Sequence, residues 1–194
     1  MSKSLGQLEV LKAHIVETAG EDVAEQVMKG SDVLTEKSKP EVIATWVKGA
    51  MDRLDNTVKQ PARDRIMLRC GHNCAAVNSR PLDSAKKRRA KFKTLDDFIA
   101  AEIAKPPSGM RFEREGHILY QFYTPQAYSH PMRCYCGLLR GLPQDEVISR
   151  TYCQCSRGFV QKWWEGILGH EVEVDLLETA VSGASECKFA IHLA

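Results

Sequence analysis

Seven cysteines stand in a chain of 194 residues, and six of them fall into close pairs. Cys70-Gly-His-Asn-Cys74 is a C-x3-C pair, and Cys134-Tyr-Cys136 and Cys153-Gln-Cys155 are both C-x-C. Residues four apart share one face of a helix, and residues two apart share one face of a strand. Read that way, each pair presents two thiols to one side. A soft cation needs several thiolates converging on one point, and two-thiolate pairs from separate elements supply that. The expected ligands are therefore Cys70, Cys74, Cys134, Cys136, Cys153 and Cys155, with zinc as the metal. An iron–sulfur cluster is the alternative, because it takes the same ligand type. Six thiols exceed the need of one tetrahedral ion, so one pair is expected to stand behind the ligands or to be redox-active.

An odd number of cysteines argues against a closed disulfide set. His72, inside the C-x3-C, and His130, four residues before Cys134, are further candidates for the metal or its surroundings. Arg69, Arg133 and Arg157 flank the pairs, and positive charge lowers a thiol pKa. Cys187 stands alone in an alternating segment and reads as core packing. The catalytic templates G-x-G-x-x-G, P-loop, G-x-S-x-G and H-E-x-x-H are absent.

The elements that must position these residues are legible in the periodicity. Leu8, Leu11, Ile15 and Ala19 recur at helical spacing. A second helix starts near Ser38-Lys39-Pro40 and presents Val42, Ile43, Trp46, Val47, Ala50, Met51 and Leu54. A third follows Pro61 and carries Cys70 and Cys74. The run of Lys86, Lys87, Arg88, Arg89, Lys91 and Lys93 reads as a solvated face. Thr94 caps another helix, which Pro106-Pro107-Ser108-Gly109 ends.

The texture then changes. Met110 to Tyr123 alternates around Glu115-Gly116 as a hairpin. Arg157 to Leu168 is an amphipathic helix with Gly169 as its C-cap. Glu171 to Leu177 and Cys187 to Leu193 alternate as strands. The fold class is α+β: N-terminal helices, then an antiparallel sheet with a packed C-terminal helix and hairpin. Residues 1–105 form the helical region and 106–194 the α+β region of one domain. Tyr120, Phe122, Tyr123, Trp163 and Trp164 are the expected lining of an apolar pocket.

The formal charge of +2 gives no global field for nucleic acid. No apolar run reaches bilayer length, and the start lacks the apolar stretch of a signal peptide. These point to a cytoplasmic protein with a small-molecule partner, no nucleic acid, no membrane, and at most a second copy of itself in a homodimer.

The segment from Tyr152 to His192 resembles the end of 4-vinyl-reductase-type small-molecule-binding domains. It is similar also to the related L-2-amino-thiazoline-4-carboxylic acid hydrolase-like proteins and uncharacterised bacterial proteins near them. The resemblance rests on Gly169-His-Glu-Val172-Glu-Val174 and on Gly183-Ala-Ser-Glu-Cys187-Lys-Phe189-Ala-Ile191, and covers about 40 residues. The Cys70-Gly-His-Asn-Cys74-Ala75 run is similar to a segment in some of the uncharacterised members. The resemblance implies an α+β fold holding a small apolar or heterocyclic ligand. Some sensory relatives bind zinc through cysteines here, which would match Cys153, Cys155 and Cys187. This chain departs from that pattern by adding Cys70, Cys74, Cys134 and Cys136. The function expected is a metal-binding, ligand-binding or sensory protein. The alternatives are a hydrolase of a small cyclic amide or thiazoline, and an iron–sulfur or dithiol redox protein.

Overall fold

The computed structural model describes residues 5–124 and 133–193. Six helices come first: α1 Gly6–Ala19, α2 Glu21–Met28, α3 Pro40–Thr57, α4 Gln60–Val77, α5 Ser79–Arg89 and α6 Leu95–Ala104. Two strands, β1 Met110–Glu115 and β2 Ile118–Tyr123, precede α7 Arg150–Leu168, and β3 Val174–Glu178 and β4 Cys187–His192 close the chain. The α+β class expected from the sequence is the class observed.

Local chemistry explains most boundaries. Proline in the first turn starts α3 and α4, where its missing N–H costs nothing. Thr94 accepts from the Asp97 amide and starts α6. Gly169, at φ 81°, ends α7 in the left-handed region. The basic run lies largely in the last turn of α5, where positive charge suits the helix dipole. Arg88 from that run makes two bonds to the Glu102 carboxylate, at 2.7 and 2.9 Å.

The sheet has the order β1-β2-β4-β3, antiparallel throughout. Phe112, Gln121, Phe189 and Leu176 share one rung, and their side chains are buried. Arg111, Phe122 and Lys188 share the neighbouring rung on the other face, where Arg111 and Lys188 lie over the Phe122 ring.

Helix α7 is the keel of the molecule. On one side Trp164 meets Phe98 and Phe112 edge-on. Its indole N–H donates to Gln121 Oε1 at 2.7 Å, and Gln121 is fully buried. Replacing Gln121 with leucine leaves that N–H buried without a partner, at a cost of about 1–3 kcal/mol. A lowered urea midpoint is the expected reading; an unchanged midpoint would show that the bond contributes nothing.

A second consequence concerns pH. His14 of α1 is buried, with Glu17 Oε2 3.9 Å from its Nδ1. Burial, and next the Arg69 charge, lower its pKa below the ordinary value. A histidine with a depressed folded pKa leaves the unfolded chain holding more protons between the two pKa values, so stability rises with pH there. Its contribution is complete above about pH 6.5 and is lost as the pH falls towards the folded value. His14→Leu should flatten this acid limb of a stability–pH curve; an unaltered limb would assign it to other groups.

Candidate functional site

The site is built where α4 crosses α7, and two glycines set how closely they approach. A Cβ on Gly71 would lie 2.0 Å from the carbonyl oxygen of Cys155, and a Cβ on Gly158 would lie 2.2 Å from that of Leu68. Only glycine lets two helix backbones touch in this way. Gly71 sits between Cys70 and Cys74, and Gly158 lies one turn beyond Cys155. The same crossing therefore gathers thiols from both helices.

The two C-x-C pairs are not on strands, which corrects the strand geometry expected for them. Cys134 and Cys136 lie in the loop entering a 3₁₀ turn at Gly137–Leu139. Cys153 and Cys155 lie within α7, which Ser149 caps by accepting from the Thr151 amide. That start is seven residues before Arg157, so the helix takes in the pair. Two residues along a helix turn a side chain by about 200°. The Cys153 and Cys155 thiols therefore diverge.

Cys155, Cys70, Cys74 and Cys136 line one narrow cavity of about 50 Å³. Its other walls include Leu8, Leu11, Met51, Met67 and Tyr152, and none of its lining residues is charged. Tyr152 Oη donates to Cys136 Sγ at 3.0 Å. Cys74, Cys136 and Cys155 also face a larger, more open cavity of about 410 Å³. Met110, Tyr123, Tyr135, Phe159 and Trp163 contribute its apolar surface.

Cys153 turns the other way, towards Cys187 of β4, which accepts from the Ala180 amide at 3.4 Å. Cys134, half-buried, lies near both of them. Cys136 is the junction, lying near Cys74, Cys134, Cys153 and Cys155 alike.

Burial is the leading influence on these thiols. It pushes Cys70 and Cys153 up to about 12 and raises Cys74, Cys134, Cys155 and Cys187 as well. The expectation that flanking arginines would lower them is corrected, because those charges are engaged elsewhere. Arg69 pairs with Glu17 at 2.6 Å, Arg133 donates to the Pro143 and Glu146 carbonyls, and Arg157 donates to the Val174 carbonyl at 2.6 Å. Only Cys70 feels Arg69, and burial outweighs it. Neutral thiols are poor nucleophiles. A soft cation would displace their protons on binding.

The donor chemistry suits a thiophilic metal, but the arrangement is not that of a closed single-ion site. Among the described residues, no three His, Cys, Asp or Glu side chains form a group that could hold one metal ion. His72 lies on α4 with its Nε2 3.0 Å from Gln161 Oε1. His130 lies outside the described residues.

Of the aromatic residues expected to line a pocket, Tyr123 and Trp163 do so. Tyr120 and Phe122 lie on the opposite face of the sheet, beneath Lys188. Trp164 points to Gln121 in the core. Sequence reasoning missed Tyr135, Phe159 and Tyr152. Tyr135 and Tyr152 each sit beside a cysteine, and Phe159 is one residue past Gly158 on α7.

Fold and site together define an α+β protein with a thiol-walled cavity between its helices and its sheet. The chain belongs to a family of unknown function, DUF6144, whose model matches residues 3–194. No curated protein matches it. In fold it is similar to a mutant H-NOX protein from K. algicida, crystallised in the Fe(II) unliganded form. The TM-score is 0.50 and the identity 14%, over 96% of this chain and 95% of that one. An H-NOX protein from S. oneidensis in the Fe(II)NO state gives a TM-score of 0.45 at 14% identity, over 97% and 98% of the two chains. Among the described residues, no helix is long and apolar enough to cross a membrane.

Proposed function

We propose that this protein binds a small, largely apolar molecule, in a sensory or carrier role, beside a soft-metal centre held by cysteine thiolates. The observation that carries the reading is the double exposure of Cys74, Cys136 and Cys155. These three thiols, from α4, the 133–139 loop and α7, face the narrow cavity on one side and the larger one on the other. A soft metal that drew these thiols together on binding would form part of the ligand's wall. The larger cavity, at about 410 Å³, is of a size for a drug-sized ligand. The aromatic edges of Tyr123, Tyr135, Phe159 and Trp163 suit a flat or heterocyclic molecule. The resemblance to 4-vinyl-reductase-type domains is in keeping with that ligand class. An H-NOX protein of similar fold was crystallised in the Fe(II) form, which is compatible with the reading.

The hydrolase alternative finds less support, since burial keeps most of the thiols protonated and un-nucleophilic. Metal analysis combined with thiol titration of the native protein tests the proposal. Stoichiometric zinc or iron, with the cavity thiols protected until the metal is chelated, is expected. A metal-free protein with seven freely titrating thiols would refute it.

A further inference from the structure

We infer that the larger cavity takes an uncharged aromatic molecule bearing a hydrogen-bond acceptor, a carbonyl or ring nitrogen, and that Trp163 and Tyr123 are the donors that recognise it. This rests on the small-molecule half of the reading above and is independent of the metal. A buried indole N–H or phenol O–H ordinarily finds an acceptor within the protein. Trp46 donates to the Lys29 carbonyl at 3.0 Å, and Trp164 to Gln121. Tyr120 donates to Glu115, Tyr135 to the Gly109 carbonyl and Tyr152 to Cys136. Among the described residues, no acceptor meets the Trp163 N–H or the Tyr123 hydroxyl. Yet these two residues are only 4% and 8% exposed. Both line the same cavity of about 410 Å³.

A buried donor without a partner carries a penalty, and a ligand acceptor removes it. Two donors of one polarity in one cavity therefore select acceptors. Burial raises the Tyr123 pKa, so its hydroxyl stays a donor at ordinary pH. No charged side chain lines the cavity. A carboxylate entering it would lose its hydration with no cation to offset the loss. An ammonium would meet the positive ends of two donors. Each donor also belongs to an aromatic pair that can hold a flat ring. Trp163 lies 6.3 Å from Phe159 between ring centroids, and Tyr123 lies 5.3 Å from Tyr135. All four rings line the cavity.

Calorimetric titration of the full chain with four substituted naphthalenes tests this. 2-Acetylnaphthalene carries the acceptor, and 2-ethylnaphthalene has nearly the same shape without it. 2-Naphthoate and 2-naphthylmethylammonium carry the two charges. The acetyl compound is expected to bind about tenfold more tightly than the ethyl compound, and more tightly than either charged one. Trp163→Phe and Tyr123→Phe keep the ring and remove the donor, and each should lower the acetyl-to-ethyl ratio by about threefold. Because the ratio is taken within one variant, a general loss of packing cancels from it. Equal affinities for the acetyl and ethyl compounds in wild type would overturn the inference and leave a plain apolar site in place. An unchanged ratio in both variants, or tighter binding of either charged compound, would overturn it as well. Binding of none of the four would remove the small-molecule reading together with it.

Discussion

Gly71→Ala and Gly158→Ala are expected to be among the most damaging single-methyl changes in the molecule. Each adds one carbon where the neighbouring atom is a backbone carbonyl oxygen, 2.0 Å away at Gly71 and 2.2 Å at Gly158. Neither helix can yield locally, because both carbonyls sit inside continuous helical turns. The helices must move apart, which uncovers core surface along the crossing. Overpacking of this sort costs about 3 kcal/mol, a fall in Tm of roughly 6–12 °C for a chain of this size. The separation also draws Cys155 away from Cys70 and Cys74, so ligand and metal binding should fail together with stability. Gly166→Ala on the same helix is the control. Its Cβ would meet only the side-chain ends of Leu82 and Lys86, which can turn aside. The helix gains from losing a glycine by about 0.8–1 kcal/mol, so the net change should be small. Thermal melts of the three variants separate these cases, and equal effects at all three glycines would show that the close crossing is not what matters.

The second large effect is expected from Cys136→Ser. Cys136 faces both cavities and neighbours every other thiol set. It is also the residue through which the 133–139 loop reaches the two helices at the site. Loss of its thiol should remove the proposed metal and leave the loop held by the buried Leu138 and Leu139 and by the hydrogen bonds of Arg133 and Tyr135. Metal binding to the folded state alone contributes to stability by mass action, so the variant should melt lower than wild type. Its melting temperature should also no longer respond to a chelator. An apolar fluorescent probe bound in the larger cavity should be held more weakly, because Tyr135, Gly137 and Leu138 of the same loop line it. A Cys136→Ser protein with the metal content and chelator response of wild type would contradict the proposed placement of the centre.

Much of this architecture is written in local sequence. The prolines that open α3 and α4, the Thr94 cap, the Gly169 stop and the alternation on both sides of Gly116 each act within a few residues. Their elements stand where periodicity puts them. The helical C-x3-C was legible for the same reason. What was not legible is the setting of the C-x-C pairs. Tyr152-Cys-Gln-Cys-Ser has no apolar stripe of its own, and the helix extends back through it because Ser149 caps it. Asp55, far away in sequence, accepts from the Ser149 and Thr151 hydroxyls. A cap fixed by a tertiary partner leaves no pattern to count. The face of the sheet on which Phe122 and Tyr123 fall is likewise set by register, which aromatic content alone does not reveal. The arginines beside the cysteines were misread because adjacency in sequence says nothing about which carbonyl or carboxylate claims the guanidinium.

In the proposed thiolate centre, direction and not number selects the ligating thiols, and α7 offers the sharpest comparison. Cys153 and Cys155 are two residues apart, yet only Cys155 lines the cavities. Metal content per chain, measured for Cys155→Ser and Cys153→Ser prepared side by side, tests this directly. The expected result is loss of most of the metal in Cys155→Ser and retention in Cys153→Ser. Equal loss in both, or loss only in Cys153→Ser, would contradict it.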